Sequence, residues 1–274
     1  MSPVSRDRKS RSHLRLVEAV PATCDCPVCS GPPSLEDVVA SVTADAEALF
    51  AVEDPFEAEL FGAELLGTAA LAGDAFIDEL VPALAAANCL TALLAVEAVG
   101  GSAATGGAAG PLLDAGVPTP AWLSALAEPV RLGVCRRFTA RSGEASMLQC
   151  TFERSGDSHG FLIEIDHTDG DAATDIILFP GELLAEVTEM LLANGKKAGV
   201  TLTADEPDPA ELRRQAERAL DARAAHDDED DLDIDDVSDD EDGPGYHTLA
   251  PLLRARLRTL PELTRPPSAH GKTH

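Results

Sequence analysis

Between Leu16 and Val130 the chain has no lysine and no arginine. That stretch excludes the basic surface with which proteins hold a phosphate backbone or an anionic lipid headgroup. No run of about 18 apolar residues occurs, and the basic residues 1–15 are followed by no signal-peptide core, so the sequence predicts a soluble, cytoplasmic protein with no membrane partner. In that reducing compartment the six cysteines are expected as thiols or metal ligands, with disulfides disfavoured. Catalytic signatures are also missing: there is no Gly-x-Ser-x-Gly, no phosphate-cradling glycine loop ending in Lys-Ser or Lys-Thr, and no Gly-x-Gly-x-x-Gly. Isoleucine is scarce, alanine abundant, and arginine outnumbers lysine by 17 to 4, a residue choice that GC-rich codons produce.

What is present is acid. The formal net charge is −27, and residues 31–130 hold fifteen Asp or Glu with no balancing cation. Such a field favours a basic protein partner, and it also keeps a protein dispersed. The positive charge sits at the two ends. Residues 1–16 carry Arg6, Arg8, Lys9, Arg11 and Arg15 in a segment without helical or strand periodicity, a tail extending to about residue 30. Near the other end, Leu249, Leu252, Leu253, Leu257 and Leu260 fall at helical spacing among Arg254, Arg256 and Arg258. This predicts a basic amphipathic helix within residues 246–274 that docks onto the acidic body. Just before it, twelve of the sixteen residues 227–242 are acidic, and residues 227–245 read as a solvated, disordered loop.

The body divides in texture at Val130. Residues 31–130 read as an acidic, all-helical domain, either a bundle or a HEAT-like stack of helix hairpins. Ser34 with Asp37, and Asp54-Pro55-Phe56-Glu57, are N-terminal cap signals. Further helices are expected from Asp74 and Asn88, a fifth over the glycine-rich residues 104–117, and a last one around Trp122, the only tryptophan, packed on the final helix pair. Residues 131–226 read as an α+β domain. "VRLGVCRRFTA", "ASMLQCTFER", "FLIEIDH" and "TDIILF" carry strand alternation with "SGE" and "SGDSHG" as turns, so His159 is expected as a solvated turn residue. Pro180-Gly181 leads into a helix stopped at Asn194-Gly195, "GVTLT" is an edge strand, and Asp208-Pro209-Ala210-Glu211 starts a helix to about Ala225. The fold class is therefore α+β, a helical part followed by an antiparallel sheet flanked by helices.

Two clusters carry candidate chemistry. "CDCPVC" places Cys24, Cys26 and Cys29 close enough to converge on one zinc ion, with His13 the nearest fourth ligand and Cys89, Cys135 or His247 available if the tail folds back. Dithiol redox through Cys26 and Cys29 is disfavoured because Ser30-Gly31-Pro32-Pro33 starts no helix to lower a thiol pKa. Cys89, Cys135 and Cys150 lie in apolar patterns and read as buried small hydrophobes. The second cluster is "DHTDGDAATD", in which Asp166, His167, Asp169, Asp171 and Asp175 could gather metal ligands or act as acid and base, with Asp166, His167, Asp169 and Asp175 the set for a metal-assisted hydrolase. Its spacing does not match a calcium loop, and an acidic glycine-containing turn between strands is common.

"CDCPVCS", "EAELFGAELLG", "AGVPTPAW" and "IEIDH", in this order, resemble a group of proteins of high-GC Gram-positive bacteria. The resemblance spans most of the chain and implies a shared architecture, without a mechanism or a catalytic residue. The leading expectation is a non-enzymatic interaction or regulatory protein with a small zinc site. The metal-assisted hydrolase is the alternative, and nucleic-acid binding through the basic tail ranks last.

Overall fold

A computed structural model describes residues 34–229 and 244–263. The described residues fall into two units that divide between Val38 and Val39. In the first, the Asp37 N–H donates to Ser34 Oγ at 3.2 Å and the Ser34 N–H donates back to the Asp37 carboxylate at 3.1 Å. This reciprocal cap starts helix α1, Leu35–Phe50.

In the second unit, α2 (Pro55–Ala72) begins as its sequence dictates, with Asp54 Oδ1 accepting from the Phe56 N–H at 2.8 Å and Pro55 at the first helical position. Next come α3 (Asp74–Ala86) and α4 (Leu90–Gly100). The expected fifth helix is broken into α5 (Ser102–Thr105) and α6 (Ala109–Asp114), because Gly106 and Gly107 take φ values of 55° and 77° between them. α7 (Trp122–Leu126) carries the tryptophan, whose fully buried indole N–H donates to the Leu49 carbonyl at 3.2 Å. Trp122 thus ties α7 to the end of α1.

Five strands form one antiparallel sheet in the order β4-β3-β2-β1-β5. β1 (Arg131–Ala140), β2 (Ala145–Arg154), β3 (Asp157–Asp166) and β4 (Ala172–Pro180) make the meander, and β5 (Leu202–Asp205) returns to pair with β1. The β2–β3 connection is tighter than the sequence suggests. Only Ser155 and Gly156, with φ of 56° and 93°, make the turn, as a two-residue hairpin with left-handed central residues requires. His159 therefore lies within β3, paired with Phe152, and is buried.

Alternation along the strands separates two apolar clusters. Leu148, Cys150, Phe152, Phe161, Ile163 and Ile176 project to one face, where they meet α9 (Pro209–Glu229) and α10 (Tyr246–Leu257) through Leu212, Leu220, Leu249 and Leu252. Ala63 of α2 and Val99 of α4 belong to the same cluster, so residues from both the helical part and the sheet share one core. On the opposite face Phe138, Leu162 and Phe179 meet Val187 and Leu191 of α8 (Leu184–Lys197). α8 does not stop at Gly195. A Cβ there would approach Leu202 Cδ1 to 3.0 Å, so this glycine allows the returning chain to pack closely, while Gly199, at φ 77°, makes the reversal.

α10 docks on the acidic helices as its composition predicts, but through one arginine that the apolar periodicity hides. Arg256 is 2 % exposed and donates Nη1 and Nη2 to the two oxygens of Glu59 on α2, at 2.7 and 2.5 Å. Its Nε donates to His159 Nε2 at 2.9 Å, so that imidazole carries its proton on Nδ1 and is neutral. Arg154 of β2 donates to the same Glu59 at 2.8 Å, and the Phe56 ring lies 4.3 Å from that of His159. Burial above all, then Arg256 and Arg154, push the His159 pKa down to about 3. Arg254 of the same helix reaches Asp221 of α9 at 2.7 Å, in a more exposed setting.

Candidate functional site

The sheet face under α8 is incompletely covered. One amphipathic helix spans only part of it, and a groove of about 370 Å³ remains between them. Met147 and Leu162 form its floor, Met190 and Leu191 its helical wall, and Val200 and Leu202 the returning chain. Ile177, on the edge strand, completes the lining. Ile177, Met190 and Val200 are 42 %, 50 % and 41 % exposed. Of eight large apolar side chains left exposed among the described residues, five fall between residues 177 and 200: Ile177, Leu183, Met190, Leu192 and Val200. Three of these five, Ile177, Met190 and Val200, line the groove; singly scattered exposed apolar side chains are ordinary, and grouped ones are not.

Two carboxylates border this groove. Glu164 and Asp175 are directly opposite on β3 and β4, beside the irregularity that leaves Thr174 without a register partner, and both line the groove. Like charges directly opposite across a strand pair repel. Asp175 Oδ1 accepts from the Ile176 N–H at 2.7 Å, and among the described residues neither carboxylate meets a cationic side chain.

A second cavity, of about 410 Å³ and polar, lies on the other face of the sheet, against α9. His167 stands in its wall with Nδ1 2.7 Å from Asp171 Oδ1 and Nε2 2.9 Å from Ser146 Oγ. A carboxylate only accepts, so Nδ1 carries a proton. Asp171 reaches this position from a left-handed backbone, φ 66°, and its other oxygen pairs with Arg218 Nη2 at 2.6 Å. The His167 hydrogen bond first, then Arg218, hold the Asp171 carboxyl below its ordinary pKa.

The chain of contacts from Ser146 through His167 to Asp171 has the connectivity of a nucleophile–base–acid relay, but its surroundings do not suit acyl transfer. Ser146 sits 3 % exposed within β2, an interior strand paired on both sides, so the neighbouring backbone N–H groups are committed to the sheet. A tetrahedral oxyanion needs free, converging donors of that kind. A further hollow of about 890 Å³ lies between α1, α2 and the start of α10, with Pro244 in its wall.

The residues singled out in the sequence do not come together as one ligand set. Asp166 accepts from the backbone and hydroxyl of Thr168, both at 2.7 Å, and so builds the turn. Asp169 lies 3.4 Å from His226 Nδ1, Asp175 faces the other side in the groove, and only His167 lines the polar cavity, with Asp171. Among the described residues no three His, Cys, Asp or Glu side chains are gathered as a metal would require. His13, Cys24, Cys26 and Cys29 lie outside the described residues. Cys89, Cys135 and Cys150 are free thiols; burial pushes the Cys135 pKa up to about 11, and that of Cys150 higher still. Sequence reasoning placed Asp171 in one cluster with His167 but missed Ser146 and the groove; strand register is what brings these into view.

Among the described residues no helix is long and apolar enough to cross a membrane. No protein-family model matches the chain, and no curated protein and no solved structure is similar to it.

Proposed function

We propose that this chain is a non-enzymatic, cytoplasmic interaction protein that binds a basic, apolar segment of a partner protein in the groove between the sheet and α8. The observation that carries this reading is the concentration of exposed Ile177, Met190 and Val200 around a groove bordered by Glu164 and Asp175. An inserted apolar segment buries those three side chains, and the two methionines give the lining an adaptable surface. A lysine or arginine on the segment, placed between the two carboxylates, converts a repulsive cross-strand pair into an attractive triad.

The test is fluorescence anisotropy of a labelled amphipathic peptide of leucine and arginine with the full chain. Binding that weakens about tenfold or more in Met190→Asp, a change at a half-exposed position that leaves the fold intact, supports the reading. Equal binding by wild type and variant sinks it. Binding seen only after residues 1–33 are deleted assigns the groove to the chain's own basic tail, and a dimer abolished by Met190→Asp assigns it to a second copy; either result overturns the proposal.

A further inference from the structure

The polar cavity beside α9 is lined by side chains that donate hydrogen bonds, in a chain with 48 acidic residues against 21 basic. Three arginines converge on it from two elements, Arg137 from β1 and Arg214 and Arg218 from α9. Asp171 is the one carboxylate in the lining. Each arginine is held by an acid, and each retains free donors. Arg137 commits Nε and Nη2 to Asp205, and Arg214 commits Nε and Nη2 to Glu211. Arg218 commits Nη2 to Asp171. A guanidinium has five N–H groups, so Nη1 of all three arginines, and Nε of Arg218, have no protein acceptor among the described residues. The carboxylates therefore act as positioning groups: they fix the planes of the guanidinium forks and leave donor edges unused.

The remaining lining is mixed: Ile165 is apolar, Thr139 adds a hydroxyl, Gln215 adds an amide whose Nε2 donates to Glu211 at 2.6 Å, and His167 is fixed between Asp171 and Ser146. Each guanidinium is balanced by its paired acid, so what the cavity offers an anion is the set of unused donor edges rather than excess positive charge. Forks of this kind match the oxygens of a phosphate or carboxylate group two at a time. We infer that this cavity is a binding site for a small organic anion, a molecule presenting a phosphate or carboxylate group to Arg137, Arg214 and Arg218. It lies on the opposite sheet face from the apolar groove, and the inference stands independently of the partner proposal.

Titration calorimetry on the full chain in chloride buffer, with inorganic phosphate and with citrate added at matched ionic strength, tests it. Saturable binding of either anion, weakened about tenfold or more in Arg214→Gln combined with Arg218→Gln, is the expected result. Both arginines are substantially exposed, so the variant is expected to fold, which circular dichroism checks. Stronger binding of phosphate identifies a phosphorylated ligand, and stronger binding of citrate a carboxylate. A second readout is independent of the variant: the melting temperature of the wild-type chain rises with the binding anion and not with chloride at equal ionic strength. Absence of saturable binding by both anions, or binding unchanged in the variant, overturns the inference.

Discussion

Arg256 and Glu59, 197 residues apart in the chain, form a two-pronged ion pair with both side chains 2 % exposed. Glu59 also serves Arg154, so one carboxylate holds two guanidinium groups from α10 and β2. The asymmetry predicts a ranking. Glu59→Gln leaves two buried cations without a charged partner and is expected to destabilise by about 3–5 kcal/mol, whereas Arg256→Met leaves Glu59 still paired with Arg154 and costs less. Urea unfolding of the two variants checks the order; equal losses, or a larger loss for Arg256→Met, would contradict it.

His159 predicts how stability responds to acid. Its folded pKa, about 3, lies below the value near 6.5 of an unfolded histidine, so the unfolded chain takes up a proton first as pH falls. The contribution is fully present above pH ~6.5 and is lost as pH falls toward the folded pKa, with a slope of up to about 1.4 kcal/mol per pH unit. The groups facing the ring are Arg256, Arg154, Phe56, Phe161 and Phe152, with Glu59 behind the arginines. His247, lowered by burial, has the same sign, so the comparison to make is wild type against His159→Gln between pH 7 and 5, where ordinary carboxylates stay ionised. The variant is expected to show the shallower slope; parallel slopes would rule out this assignment.

Gly62 reverses the usual helix rule. Alanine at an exposed helical glycine adds about 1 kcal/mol of stability. A Cβ at Gly62 would lie 2.1 Å from the Ala95 carbonyl oxygen, and one at Gly67 would lie 2.4 Å from that of His247. These glycines let α2 approach α4 and α10 backbone to backbone. Gly62→Ala and Gly67→Ala are each expected to destabilise by about 1–3 kcal/mol through overpacking. Thermal unfolding decides the sign, and a raised melting temperature in either variant would show that the helices do not meet this closely.

Zinc at Cys24, Cys26 and Cys29 is a separate proposal resting on their spacing. Protein purified without a chelating column is expected to carry about one zinc per chain, lost in Cys26→Ser. Metal-free wild-type protein would remove the site.

Much of the fold was legible because its determinants are local. Asp54 and Asp208 start helices as their residue types require, and alternation in "FLIEIDH" places Phe161, Ile163 and Ile165 in the core. What was not legible depends on register and coverage. His159 looked like a turn residue because the sequence does not say that Ser155 and Gly156 complete the turn alone. The sequence predicts that the arginine series docks on the acidic body but does not single out Arg256, since only the position of Glu59 on a distant helix makes its burial tolerable. The acidic run at 166–175 looked like one ligand set, but the strand pleat and the turn send Asp175 and His167 to different faces. The groove has no sequence motif, because it is the part of the sheet that α8 fails to cover.

The most direct test of the central claim is a charge swap at the groove. Peptides of leucine with arginine, and of leucine with glutamate, are titrated against wild type and against Glu164→Lys combined with Asp175→Lys. Wild type is expected to prefer the arginine peptide and the double variant the glutamate peptide, with Ile177→Asp weakening both. A preference that does not invert, or peptides that bind neither protein, would contradict an apolar groove with an acidic rim as the binding surface.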